Sequence, residues 1–368
     1  MALAIAVVNG PGVYLLGPLF LSDTLAMSIG KNEGPTVRMN ADVVGLEPSA
    51  TVAINDRSNR LMADGRDVYK LGLGQSPFPV PDPVVRALQE HAHEKDYLPG
   101  KGLAALRETV AEYHRRVDGI DAHADGILIG PGSKELMYGL QLVVDAELLL
   151  PSPSWVSYEP QAHLIGRACV YLPTSFSEGW RLSPDTLEAH CRGGGSKPRL
   201  LILNTPSNPT GMAYSESQLM ALAAVARRHG VLVLSDEIYG ELHHQGGHCS
   251  LARFYPEGTI VSAGLSKWCG AGGWRLGTFH IPPNLYDIRD AMAVVATETF
   301  TSTCAPIQYA AIEAFRRSPE IESYLVASRR VVRGLGQWIS NALRGVGADV
   351  HTLNGGFYLF PDFSSQQE

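Results

Sequence analysis

No Lys or Arg occurs before Lys31, no Cys-x-x-Cys pair exists, and no internal repeat or low-complexity run interrupts the 368 residues. Each absence excludes a class. Without a basic start the apolar first 30 residues make a poor secretory signal, and Pro11, Pro18 and several glycines interrupt the roughly 20 apolar residues that a membrane span needs. Five cysteines (Cys169, Cys191, Cys249, Cys269 and Cys304), scattered and odd in number, exclude a zinc ribbon and fit a reducing compartment. Thirty Lys plus Arg against 37 Asp plus Glu leave a net charge of −7 and a pI near 6.0, which argues against general nucleic-acid binding. The expectation is a cytoplasmic protein that binds neither nucleic acid nor membrane. A small anionic ligand remains compatible, because one pocket can oppose the global sign.

What is present reads as ordered: 45% hydrophobic and 18% charged residues suffice for a large core. From about Ile127 short apolar runs alternate with helical stretches, the rhythm of a parallel sheet covered by helices. Leu200 to Asn204 reads as a buried strand, Val231 to Leu234 as the next, and Thr259 to Ala263 as a third. Between the first two, Ser215 and Gln218 form a capping box for a helix that runs to His229 and stops at Gly230. The three strands deliver Asn204, Ser235 with Asp236, and Ser266 with Lys267 at their carboxyl ends, where open α/β sheets bind ligands. The segments before about Tyr69 and after about Thr301 lack the alternation and look mainly helical, with Ala310 to Arg316 and Ile321 to Leu343 amphipathic.

Two loops carry chemistry. Gly130-Pro131-Gly132-Ser133-Lys134 follows a strand at Ile127 to Ile129 and opens a helix at Glu135 to Leu142; free N–H groups there with a hydroxyl beside them suit a phosphate. A plain strand-to-helix turn explains it equally. Asn204-Thr205-Pro206-Ser207-Asn208-Pro209-Thr210-Gly211 is more specific, because two prolines and a glycine fix an irregular loop that holds the Asn208 amide rigidly.

At this second loop the sequence resembles the class I/II aminotransferases, whose hallmark reads N-P-T-G. The resemblance extends from Pro48-Ser49-Ala50-Thr51 to Gly355-Gly356-Phe357. It implies the α/β fold type I of pyridoxal 5'-phosphate (PLP) enzymes: a large domain with a mostly parallel seven-stranded sheet flanked by helices, and a smaller α+β domain from both termini. The corresponding boundaries are a leader at 1–44, the N-terminal part of the small domain at 45–80, the PLP-binding domain at 81–300 and a C-terminal small domain at 301–368.

The same resemblance implies residue roles. In Gly264-Leu265-Ser266-Lys267, eight residues before Arg275 in Gly273-Trp274-Arg275, Lys267 is the Schiff-base lysine and Arg275 joins Gly132, Ser133, Lys134 and Ser266 as the phosphate cup. Burial beside Arg275 favours the unprotonated Lys267 amine, which is also the base that moves a proton between substrate and cofactor carbons. Asp236, in Asp236-Glu237-Ile238-Tyr239, keeps the pyridine nitrogen protonated so that the ring accepts electrons; taken alone it could equally be a helix cap. Tyr239 and Asn208 resemble the groups that bond the cofactor's phenolic oxygen. Trp155 resembles the ring-stacking aromatic, with core packing as the alternative. Tyr97 resembles the tyrosine that reaches the phosphate of a neighbouring subunit, which implies a homodimer with shared sites. Gly74, in Gly72-Leu73-Gly74-Gln75-Ser76, resembles the glycine whose backbone approaches the substrate carboxylate, and the resemblance implies that Trp155 and Asn208 also bind substrate.

Two departures stand out. Gly264 replaces a usual Ser, which puts one phosphate hydrogen bond in doubt. The arginine usual some two dozen residues beyond Gly355-Gly356-Phe357 is missing, because the chain stops at Glu368, so the expectation is a fragment with a truncated small domain. The implied function is transfer of an amino group from an L-amino acid to a 2-oxo acid by ping-pong chemistry through Lys267. A PLP-dependent lyase of the same fold is the alternative, as is a non-catalytic aminotransferase-like sensor, for which no basic helix-turn-helix precedes Pro48.

Overall fold

The computed structural model describes residues 4–5, 38–39, 43–44, 46, 48–193 and 197–364. The strands are β1 (Ala4–Ile5), β2 (Ile127–Gly130), β3 (Glu147–Ser152), β4 (Cys169–Pro173), β5 (Arg199–Asn204), β6 (Leu232–Asp236), β7 (Thr259–Gly264), β8 (Gly277–His280) and β9 (Tyr358–Leu359). The α-helices are α1 (Ala50–Ala63), α2 (Asp82–Glu90), α3 (Ala104–Tyr113), α4 (Ser133–Val143), α5 (Tyr158–Leu164), α6 (Pro184–Arg192), α7 (Glu216–Arg228), α8 (Tyr286–Thr299), α9 (Ala305–Arg316) and α10 (Pro319–Gly345). Most of the leader expected at 1–44 lies outside the described residues; within it, β1 pairs in parallel with β9.

Seven strands form one sheet in the order β2-β8-β7-β6-β5-β3-β4. All neighbours run parallel except β8, which is antiparallel to both β2 and β7. The alternation along each strand explains the layers. Leu148, Leu150, Leu200, Ile202 and Leu234 face one side with Leu136, Met137 and Leu140 of α4, while Leu149, Leu201, Leu203 and Val233 face the other with Leu219, Leu222 and Ala226 of α7. Both faces are covered, as a parallel sheet requires, so the central strands carry apolar residues on consecutive rather than alternate positions, as in Leu200 to Leu203.

The expected capping box is present: Ser215 Oγ accepts the Gln218 N–H and the Gln218 side chain accepts the Ser215 N–H. Helix α7 then ends where His229 and the left-handed Gly230 (φ +61°) turn the chain into β6. In α10 the buried positions Ile321, Leu325, Ser328, Val332, Gly336 and Ser340 recur every three or four residues, one stripe of a long amphipathic helix. No helix among the described residues is long and apolar enough to cross a membrane.

Candidate active site

The carboxyl ends of β5, β6 and β7 bring Asn204, Asp236 and Ser262 abreast, because these residues are paired in register. Since β8 runs antiparallel, its start, just after Arg275, reaches the same edge, as does the end of β2 at Gly130. Between them opens a cavity of about 360 Å³. Asn204 organises its rim: Oδ1 accepts the Asn208 N–H at 2.7 Å, and Nδ2 donates to the Asp236 carbonyl at 2.8 Å. The Asn208 loop is thereby tied to the strand that carries Asp236.

One wall is cationic. Helix α4 begins at Ser133, after Gly132 at φ +94°. A Cβ at Gly132 would lie 2.1 Å from Arg275 Nη2, so only glycine lets the guanidinium close against the helix start. Arg275 itself holds a left-handed backbone (φ +56°) and donates from Nη1 to the Gly272 carbonyl at 2.9 Å. For a non-glycine residue that conformation costs about 1–2 kcal/mol, the kind of strain found where position matters. Lys134 lies with its ammonium 5.4 Å from the centre of the Trp155 ring, and burial together with the Arg275 charge lowers its pKa.

The departure at Gly264 has a physical reason. A Cβ there would lie 2.8 Å from the Leu276 carbonyl oxygen and 3.1 Å from the Gly277 Cα, so the close passage of β8 leaves no room for Ser. Ser266 lines the cavity instead.

The opposite side is acidic. Asp236 is 3% exposed, and burial pushes its carboxyl up to about 6 against the Tyr158 hydroxyl, the Ile238 N–H, the Ser262 hydroxyl and the Lys267 charge. Tyr158 Oη donates to Asp236 Oδ2 at 2.7 Å. Between acid and cations stands Lys267, whose Nζ donates to the Gly74 carbonyl at 2.7 Å and lies 5.5 Å from the centre of the Tyr239 ring. Burial brings the Lys267 ammonium down to about 8; Asp236 raises it and Arg275 lowers it further. The hydroxyls of Tyr239 and Tyr358 share a hydrogen bond of 2.7 Å.

Of the residues singled out in the sequence, Gly74, Ser133, Lys134, Trp155, Asn208, Asp236, Tyr239, Ser266, Lys267 and Arg275 all line this cavity, and Gly132 backs it against Arg275. Tyr97 does not: it is 86% exposed, outside the lining. Two residues, Tyr158 and Tyr358, escaped the sequence reading, and so did the bonds that Asn204 makes. Asn204 stands at the end of an expected strand and Tyr158 just beyond Trp155, but their partners lie 32 and 78 positions away. Tyr358 follows Gly355-Gly356-Phe357, and its partner is 119 positions distant.

Behind the site, Asp118, Glu237 and His248 draw together. Glu237 accepts from Ser235 at 2.7 Å, from Ser250 at 2.8 Å and from His248 at 2.6 Å. Burial works against a charged His248, but Glu237, Asp118 and Glu241 outweigh it and leave the imidazolium pushed up to about 9.

A mostly parallel sheet with one crevice that joins a lysine, a buried carboxyl and a helix start defines the fold type I class of transferases. The aspartate aminotransferase of Thermus thermophilus, in its structure with maleate, matches at a TM-score of 0.83 and 30% identity, over 88% of this chain and 85% of that one. Residues 66–368 match the family "Aminotransferase class I and II". An aspartate aminotransferase of Geobacillus stearothermophilus is 36% identical over 74% of this chain and 70% of the relative. An asparagine–oxo-acid transaminase of Streptococcus mutans is 31% identical over 90% and 85%. The chain belongs to the class I and II aminotransferases, enzymes that use PLP, and its substrates are amino acids and oxo acids.

Proposed function

We propose that this aminotransferase carries PLP on Lys267 and takes an amino donor whose side chain ends in a carboxylate or carboxamide. The observation that supports it most is the polarity of one crevice. Cations and a helix start stand at the β8 edge, a buried carboxyl stands at β6, and the lysine lies between. Those edges are two strands apart, roughly 10 Å at about 4.8 Å per strand. PLP has a phosphate dianion at one end, a basic ring nitrogen at the other and an aldehyde between, and the residues fit it in that order. Gly132, Ser133, Lys134, Ser266 and Arg275 would hold the phosphate. Trp155 would cover the ring. Asn208 and Tyr239 would donate to its phenolic oxygen.

When bound, PLP supplies a carbonyl that takes up amines and a ring that accepts the electron pair left as the substrate Cα proton departs. The chain supplies the rest. Asp236 holds a proton at the ring nitrogen, and Lys267 Nζ, whose burial disfavours the ammonium, accepts the Cα proton. The Gly74 segment borders the substrate side. Tyr97, exposed on this chain, would serve the phosphate site of a second copy, so the working unit is a homodimer. We infer the same division as above, a large domain at 81–300 and a smaller one from 45–80 and 301–368, and a cytoplasmic setting.

The donor class rests on the named relatives, which act on aspartate or asparagine. A panel of amino donors against 2-oxoglutarate and pyruvate tests it. Aspartate or asparagine should lead, and a preference for aliphatic donors with neither of those two turned over would overturn the donor assignment.

A further inference from the structure

The hydroxyl of Tyr158 lies at the edge of an apolar layer. The residue is 1% exposed and packs with Leu136, Met137, Leu150 and Ile202, where a phenylalanine would fill the same volume. Its oxygen nevertheless donates to Asp236 Oδ2 at 2.7 Å, in the range of charge-assisted bonds, and makes no other hydrogen bond among the described residues. The ring has a second task. It stands edge-on to Trp155, with centroids 5.2 Å apart and planes at 84°.

Asp236 needs such a donor. Its other oxygen receives the Ile238 N–H at a long 3.4 Å, and the carboxyl borders the cavity. The titratable groups that face it are Tyr158 from α5, Tyr239 from the turn after β6 and Lys267 from the loop after β7, with Tyr358 beyond Tyr239. Of the influences that oppose burial at Asp236, the Tyr158 bond is the largest. Burial and the Asp236 charge hold the phenol's own pKa well above its ordinary value, so Tyr158 stays a donor across the working range.

We infer that Tyr158 is a positioning residue: its hydroxyl fixes and ionises the Asp236 carboxylate toward the cofactor's ring nitrogen, while its ring fixes the Trp155 indole on the cofactor's face. The inference rests on the PLP reading above. It also places one residue at the start of α5 in charge of two of the site's contacts, which neither core packing nor a local cap requires.

The test uses the full chain as Tyr158→Phe, Asp236→Asn and the double variant. Phe keeps the ring and its contact with Trp155 and deletes only the donor. In the cofactor-free protein, melting temperature is followed from pH 4 to 8, and each variant is compared with its Asp236→Asn counterpart, so that only the Asp236 titration remains. A hydrogen bond to a charged group corresponds to about one to two pH units, so the Asp236 step should move upward by that much in Tyr158→Phe. PLP affinity, measured by equilibrium titration at pH 7.5, should fall about ten- to a hundredfold in Tyr158→Phe and be unchanged by the same substitution in the Asp236→Asn background. An unmoved Asp236 step, or an equal loss of PLP affinity with and without the carboxylate, would show that Tyr158 acts only as packing. If the step moves but Asp236→Asn binds PLP as tightly as the unsubstituted chain, the hydrogen bond stands and the cofactor assignment of the crevice falls, and the proposal with it.

Discussion

Asp236 places function and stability in opposition. Its folded pKa of about 6 lies above the ordinary 3.8, so the folded cofactor-free chain loses stability as pH rises from about 4 to 6 and carries the whole penalty above that. Two pH units correspond to about 3 kcal/mol as an upper figure. Asp236→Asn removes the charge and keeps an acceptor for Tyr158, so the cofactor-free variant should melt a few degrees higher than the unsubstituted chain at pH 8, with no gain at pH 4. Its kcat/KM should fall at least about a hundredfold, because the group proposed to hold the ring proton is gone. Calorimetry at the two pH values and one steady-state assay check both signs together. Lys267 is displaced the other way: its folded pKa of about 8 lies below the ordinary 10.5, so its contribution to stability grows as pH rises from 8 to 10.5.

At the level of elements, the turn from Asp236 to Tyr239 is held from behind. Its N–H at Glu237 donates to the Ser262 carbonyl, its Gly240 N–H returns to the Glu237 carbonyl, and the Glu237 side chain takes three donors, His248 among them. His248 has a folded pKa of about 9 against 6.5, so the stability it contributes is complete below pH 6.5 and is lost as pH rises through 9. That window corresponds to roughly 3 kcal/mol. His248→Gln should therefore be less stable than the unsubstituted chain at pH 6, with the gap closing toward pH 9.5; a gap independent of pH would mean that His248 is neutral in the fold. The strands behind this turn were legible in the sequence, because a two-sided parallel sheet writes itself as runs such as Leu200 to Leu203. The capping box at Ser215 and Gln218 was legible for a similar reason, since both partners sit within one turn. The antiparallel sense of β8 was not. Gly277 to His280 is buried like the parallel strands of the sheet, and direction depends on where the chain returns rather than on residue type. Tyr158, Tyr358 and the bond from Asn204 to Asp236 stayed hidden because each depends on a distant partner, whereas Lys267, Asp236 and Asn208 were legible in local strings.

Across the whole molecule, an acidic chain presents a cationic pocket. The net charge is −7, while Lys134, Lys267 and Arg275 converge on a cavity of about 360 Å³, the size for a small ligand. The sheet achieves this by ending β2, β7 and the start of β8 on one edge, so Gly132 and Arg275 meet although they stand far apart in the chain. Everything in that arrangement turns on Lys267 as the carrier of the cofactor, and one measurement reaches it directly. The cofactor-loaded protein is reduced with borohydride, digested and sequenced by mass spectrometry. The pyridoxyl adduct should sit on the peptide that contains Lys267, and Lys267→Ala should leave no stable adduct. An adduct on Lys134, Lys101 or another lysine would contradict the assignment.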